Sequence, residues 1–216
     1  FWNLLQEVAG NHARKIEFDS TDLQKDERTW VLQRLHVQMD RFPGWREIIT
    51  IRTCPSSGDG LRAYRDFLIM GQNGDVIGRS LSDWLIMKIQ TRRPARIPKD
   101  ILEMAPDDTK HVLPIASNRY SDLDQVDYSM EFKVRKTDLD LNRHVNNVRF
   151  IEWILSCLPD DAAISEIDIQ FVAESIMGDT DVAEAKEQPA NENRQTFHHQ
   201  IRRSSDDKIL AKAMSC

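Results

Sequence analysis

Apolar and polar positions repeat in two halves of the chain. LHVQMDRFPGWREI (residues 35–48) can be laid on IDIQFVAESIMGDTDV (residues 167–182) at a constant offset. Leu35 then meets Ile169, Val37 meets Phe171, Asp40 meets Glu174, Gly44 meets Gly178 and Ile48 meets Val182. Each copy reads as an alternating strand, an acid, a bend at glycine and a second strand. A helical apolar pattern precedes each, FWNLLQEVAGNHA in the first half and VNNVRFIEWILSCL in the second. Residues 14–29, charged and polar, form a longer helix-to-strand connection in the first half. Two more strands close each half. LRAYRDFLIM and VIGRSLSDWLIMKI flank GQNGD, where a hairpin turn tolerates positive φ; RQTFHHQIRR and KILAKAMS flank SSDD. Residues 94–125 carry prolines and acids with little periodicity, which predicts a connector with a short helix near Ile101–Met104.

The expected fold class is therefore α+β, a helix plus an antiparallel meander, twice. The domains are expected at 1–93 and 126–216, with 94–125 between them. A long apolar helix beside four or five antiparallel strands buries both only if the sheet wraps it.

Composition narrows the function classes. The net charge of −6 over 216 residues argues against nucleic acid as a partner. No apolar run reaches the roughly 18–20 residues of a membrane span, so no membrane insertion is expected. Cys54, Cys157 and Cys216 are odd in number, far apart and without a C-x-x-C, which argues for a reducing compartment and against structural zinc. Cys157, on the apolar side of a helix, reads as a buried small hydrophobe. His198 and His199 are adjacent in a strand and face opposite ways, so they make no metal pair. No phosphate loop, dinucleotide fingerprint or metal-spaced cluster is visible, and no cofactor is implied.

The densest chemistry lies in TDLDLNRHVNNVRFIEWIL (residues 137–155). Asp140, Asn142 and His144 fall at every second position, on one face of an extended segment. Val148, Ile151, Ile154, Leu155 and Leu158 then recur at helical spacing, so the polar set sits in front of a helix N-terminus. Backbone N–H groups around Val145–Val148 are expected to be free there to polarise a carbonyl or hold an oxyanion. Asp140 reads either as a base or nucleophile or as an Asx turn. Asn146 and Asn147 read as helix caps. Asp138 reads as a turn residue or surface acid, and Asn11 and His12 as the end of the first helix.

This motif resembles the signature of acyl-[acyl carrier protein] thioesterases within the hotdog-fold thioesterases. WVLQRLHVQMDRFPGW (residues 30–45) and SDWLIMKIQTRRPARIP (residues 82–98) are similar to the first half of the same family. The resemblance implies two tandem hotdog domains, a fused pair in which the first holds an acyl chain and the second the chemistry. It implies a hydrolase that releases free fatty acid from acyl carrier protein, in a bacterial cytoplasm or, for a plant protein, the plastid stroma.

The repeat places Glu174 where the resembled family carries glutamate in a Glu-Cys pair. Here the neighbour is Ser175, and a serine with no adjacent histidine is a poor nucleophile. The expected catalytic residues are Asp140, Asn142, His144 and Glu174. Glu174 would act as general base on water, Asn142 and His144 would position that water, and Asp140 would hold them; swapped roles for Asp140 and Glu174 stay open. Acyl carrier protein is acidic, and two basic clusters could meet it: Arg92, Arg93, Arg96 and Lys99, and Lys133, Arg135, Lys136, Arg143 and Arg149. A homodimer through exposed sheet edges is open. The alternatives are hydrolysis of acyl-coenzyme A, a non-catalytic acyl-thioester sensor, which would want a helix-turn-helix that is not visible, and a hotdog dehydratase.

Overall fold

The first helical pattern folds as α1 (Trp2–Lys15), with Leu5 and Ala9 on its buried side. It runs three residues beyond His12, whose Nδ1 lies 3.2 Å from Arg65 Nη1, so Asn11 and His12 are not the helix end. The coordinates are a computed structural model describing residues 2–105, 110–191 and 194–216.

The polar connection 14–29 contains a helix the periodicity does not reveal, α2 (Ser20–Gln24). Its signal is a capping box. Asp19 accepts from Thr21 N and Asp22 N, and Asp22 accepts from Asp19 N. Four long strands follow, β1 (Arg28–Met39), β2 (Thr50–Gly58), β3 (Arg62–Met70) and β4 (Val76–Lys88), then the two-residue β5 (Pro94–Ala95), which pairs with β4. The antiparallel order is β2-β3-β4-β1. The left-handed residue in the 40–49 bend is Arg46, with φ 64°, rather than Gly44.

The expected short helix is α3 (Lys99–Leu102), two residues early. Chain contacts divide the molecule between Ala116 and Ser117, inside the stretch read as a connector. Leu113 is buried with Tyr64 and Leu81 of the first unit. Tyr120 Oη donates to Asp168, and Leu123 N to Gln200, within the second.

The second unit adds β6 (Tyr128–Lys133), a 3-10 turn at Lys136–Asp138 and α4 (Asn147–Ser156). β7 (Glu166–Phe171), β8 (Thr180–Asn191), β9 (Arg194–Arg203) and β10 (Ile209–Ser215) complete it. Its sheet order is β7-β10-β9-β8-β6. Without β6, this is the order of the first unit strand for strand, so the repeat read from the sequence is a repeat of topology.

α4 buries Val148, Phe150, Ile151, Trp153 and Ile154. Phe132 of β6 stacks on Trp153 at 5.2 Å, and Phe171 of β7 lies against Phe150. Those contacts seat the helix and thereby fix the loop before it. Ile151→Ala is expected to lower stability by roughly 2–5 kcal/mol in denaturant unfolding, as a core truncation does. Trp45→Ala, at a side chain 92% exposed, should change it by less than about 0.5 kcal/mol.

Candidate active site

All four expected site residues lie on two loops of the second unit. The first runs from β6 to α4 and is held at its base by Asp138, which is 1% exposed. Asp138 is therefore not a surface acid. Its carboxylate accepts from Arg135 N at 2.8 Å and from the Arg135 guanidinium, and Arg149 Nε lies 3.6 Å away. Its backbone carbonyl accepts from Asn146 N at 2.9 Å. Arg135 and Arg149 are thus engaged with Asp138, although the Arg135 side chain is itself exposed, as are Lys133, Lys136 and Arg143.

Above that base the chain makes a tight turn, closed by pairing of Leu139 with Val145. Asp140 Oδ1 accepts from Asn142 N at 2.8 Å and from His144 N at 3.1 Å. Asp140 N donates to His144 O at 2.8 Å, and Arg143 takes the left-handed conformation with φ 63°. Of the two readings of Asp140, its geometry is that of the Asx turn. Asn142 stands exposed near the tip, its N–H held by Asp140, and His144 is half-buried.

The second loop spans 172–179, between β7 and β8. Val145 N donates to Ser175 O at 2.8 Å, and His144 pairs with Ile176. This lacing brings Glu174 to His144, with Oε2 3.4 Å from Nε2. Arg203 Nη2 donates to the Glu174 carbonyl at 2.6 Å, and its Nε lies 3.0 Å from Asp179 Oδ2. Asp179 Oδ2 also accepts from Ser175 Oγ at 3.2 Å and from Ile176 N at 3.1 Å, and Gly178, with φ 94°, supplies the positive φ of the turn. Ser175 is buried and donates inward to Asp179. Arg203 and Asp179 carry no spacing signal in the sequence.

The free helix amides expected at α4 are largely engaged. Val145 N goes to Ser175 O, Asn146 N to Asp138 O, and Val148 N to the Asn146 side chain at 3.0 Å. Asn146 is the N-cap, as expected, and its capping bond removes a donor that a ligand would need. The same two loops carry exposed apolar side chains: Leu141, Val172, Ile176 and Met177.

Cys157 is buried as expected, and burial pushes its thiol up to about 11, far from thiolate chemistry. His199 is buried with Nε2 2.8 Å from Ser215 Oγ, while His198 faces Tyr120, so the two imidazoles do point apart. Among the described residues no group of three or more His, Cys, Asp or Glu side chains could hold a metal ion, and no helix is long and apolar enough to cross a membrane.

With this geometry in view, the profile of the acyl-ACP thioesterase N-terminal domain matches residues 1–105, and that of the C-terminal domain matches residues 120–215. The chain belongs to the acyl-ACP thioesterase family. Among its relatives are oleoyl-acyl carrier protein thioesterase 1 of Arabidopsis thaliana, 33% identical over 74% of this chain, and dodecanoyl-[acyl-carrier-protein] hydrolase of Cinnamomum camphora, 29% identical over 81%. The chain spans about half their length, 49% and 50%. Both relatives are chloroplastic proteins. The acyl-ACP thioesterase of Bacteroides thetaiotaomicron has a similar structure, with TM-score 0.87 and 27% identity over 99% of this chain and 86% of its own. Mycobacterium tuberculosis Rv0216, at TM-score 0.56 and 14% identity over 86% of this chain and 74% of its own, has a double hotdog fold. Two tandem hotdogs, each a helix with an antiparallel sheet, are the fold of this family member.

Beneath Ser175, Asp181 is fully buried, and burial pushes its carboxyl up to about 6. Ser175 Oγ is near enough to ease that shift, but its hydrogen bond is to Asp179. The folded chain then holds a proton on Asp181 up to about pH 6, whereas the unfolded chain releases it near 3.8. The native state binds more protons in that window, so this residue's contribution falls as pH rises through it. Asp181→Asn is expected to raise stability at pH 8 by roughly 2–3 kcal/mol, a gain that shrinks as pH falls toward about 4. Chemical unfolding across that range measures it; a gain that grows toward acid would contradict the burial argument.

Proposed function

We propose that this chain hydrolyses the thioester of acyl-[acyl carrier protein] and releases free fatty acid, with Glu174 as general base. The observation that carries the reading is the approach of His144 Nε2 to Glu174 Oε2 at 3.4 Å, on loops laced by backbone bonds. Family membership supports the reaction class, and the exposed apolar side chains of Leu141, Val172, Ile176 and Met177 suit a greasy acyl substrate.

In this reading a water sits against Glu174 Oε1 and the Asn142 side chain, beside the His144–Glu174 pair. Glu174 takes a proton as the water oxygen bonds the thioester carbon, and the carbonyl π pair moves to oxygen. Collapse restores the carbonyl and breaks the C–S bond, and the leaving thiolate takes the proton from Glu174. His144 Nε2–H aims the carboxylate, and Asp140 holds the turn that places His144. With the Val145, Asn146 and Val148 amides engaged, the developing oxyanion falls to the Asn147 amide at the start of α4, to the Asn142 side-chain N–H and to water. The second unit carries this chemistry and the first holds the acyl chain, each methylene buried adding about 0.8 kcal/mol gross. Exposed Lys133, Lys136 and Arg143 suit an acidic carrier.

Glu174→Gln is expected to lower kcat by about 10²–10⁴-fold with the fold intact, read as free-thiol release from acyl carrier protein thioesters of graded length. Near-normal turnover in that variant would remove Glu174 from the mechanism. Asp140→Asn keeps an acceptor oxygen and should be milder than Asp140→Ala, which opens the turn; the reverse order would make Asp140 the base. Ser175→Ala should retain turnover and lose about 1 kcal/mol of stability. Parallel assays on acyl-coenzyme A with equal acyl groups separate the two carriers.

A further inference from the structure

The first unit holds a second arrangement of reactive groups, independent of the reading above. Ser57 Oγ lies 2.9 Å from His111 Nε2, and His111 Nδ1 lies 3.0 Å from Asp66 Oδ2. A carboxylate can only accept, so Nδ1 carries the imidazole proton. Nε2 is then left as the acceptor for the Ser57 hydroxyl. Asp66 is 4% exposed, and its other oxygen accepts from Val112 N at 3.4 Å. The imidazole is braced on its side by Tyr64, edge to face at 5.7 Å, and the following residues Val112 and Leu113 pack on Tyr64 and Leu81. The triad is thus orientated at every member: nucleophile, base and buried acid.

The strand geometry aims the serine. A bulge in β2 between Pro55 and Ser57, which pair with Arg65 and Tyr64, puts Ser57 opposite Tyr64. Tyr64 and Asp66 share a face of β3 by alternation, so Ser57 and Asp66 reach the same imidazole. Asp59 N donates to Arg62 O at the end of this hairpin, which makes Gly58–Ala63 the next, non-hydrogen-bonded pair. β2 is the outer strand of its unit's order, so the Gly58 N–H points away from β3. The amide after the serine is where serine hydrolases commonly place an oxyanion donor.

We propose that Ser57, His111 and Asp66 form a second, serine-based centre that reacts with small carboxylic oxyesters. Ser57 Oγ bonds the ester carbon as its proton passes to His111 Nε2, and the carbonyl π pair moves to oxygen beside Gly58 N–H. Collapse breaks the C–O bond to the alkoxide, which leaves with the proton from Nε2, giving acyl-Ser57. Water repeats the sequence, releases the acid and restores the serine. Asp66 acts through His111 as a positioning residue.

Labelling of the full chain with a fluorophosphonate tests this, since the same attack forms a Ser57 O–P bond and expels fluoride. One adduct per chain, mapped to the Ser57 peptide, is expected. Ser57→Ala should abolish the adduct and the hydrolysis of p-nitrophenyl acetate, and His111→Ala should slow labelling by at least about 100-fold. Labelling should persist in Glu174→Gln, which keeps the outcome separate from the thioester reaction. Melting temperatures of each variant show whether it is folded. A folded wild-type chain that takes no label at Ser57, or labels at an unchanged rate in folded His111→Ala, overturns the proposal. A Ser57→Ala melting point that drops while the wild type stays unlabelled would make the three residues a polar clamp on the connector, which also overturns it.

Discussion

The second unit's site depends on one backbone hydrogen bond, from Val145 N to Ser175 O at 2.8 Å. It joins a loop that precedes α4 to a loop that leaves β7, thirty residues later in the chain. Glu174 meets His144 only because that bond and the pairing of His144 with Ile176 hold the two loops edge to edge. Buried and half-buried charged groups brace the two loops. Asp138 anchors the first from below, and Asp179 with Arg203 anchors the second. A carboxylate and an imidazole held this way lose little entropy on meeting a substrate, which is the condition for proximity to contribute to rate.

The same bond has a cost in the chemistry. The amide of Val145 is no longer available to a substrate, and capping by Asn146 removes that of Val148. A helix N-terminus offers free donors only where the chain before it leaves them unpaired. Here three of the four amides from Val145 to Val148 go into building the loop. In the proposed reaction, charge stabilisation is then left to the Asn147 amide and to the Asn142 side chain at the exposed tip.

The repeat was legible because strand alternation and helix period survive in the apolar positions, and the two units share one strand order. The motif residues were legible because Asp140, Asn142 and His144 lie within five positions of one another. What lay beyond reach was pairing over distance. Nothing local predicts that Asp138 is buried, that Arg203 reaches the Glu174 carbonyl, or that Ser57 and His111, 54 residues apart, share a hydrogen bond. α2 was missed for a different reason, since its one turn has too few apolar positions for a period and declares itself only by the Asp19–Asp22 box. The connector deceived by composition. Its prolines and acids read as linker, yet Leu113 and Tyr120 tie its two parts to the unit on their own side.

The central claim is that His144 and Glu174 act as one device. A double-mutant cycle on kcat/KM with an acyl carrier protein thioester, comparing His144→Ala, Glu174→Gln and the pair, measures this most directly. The account predicts strong non-additivity, the double variant being about as slow as the slower single one. Losses that multiply, as for independent residues, would contradict it.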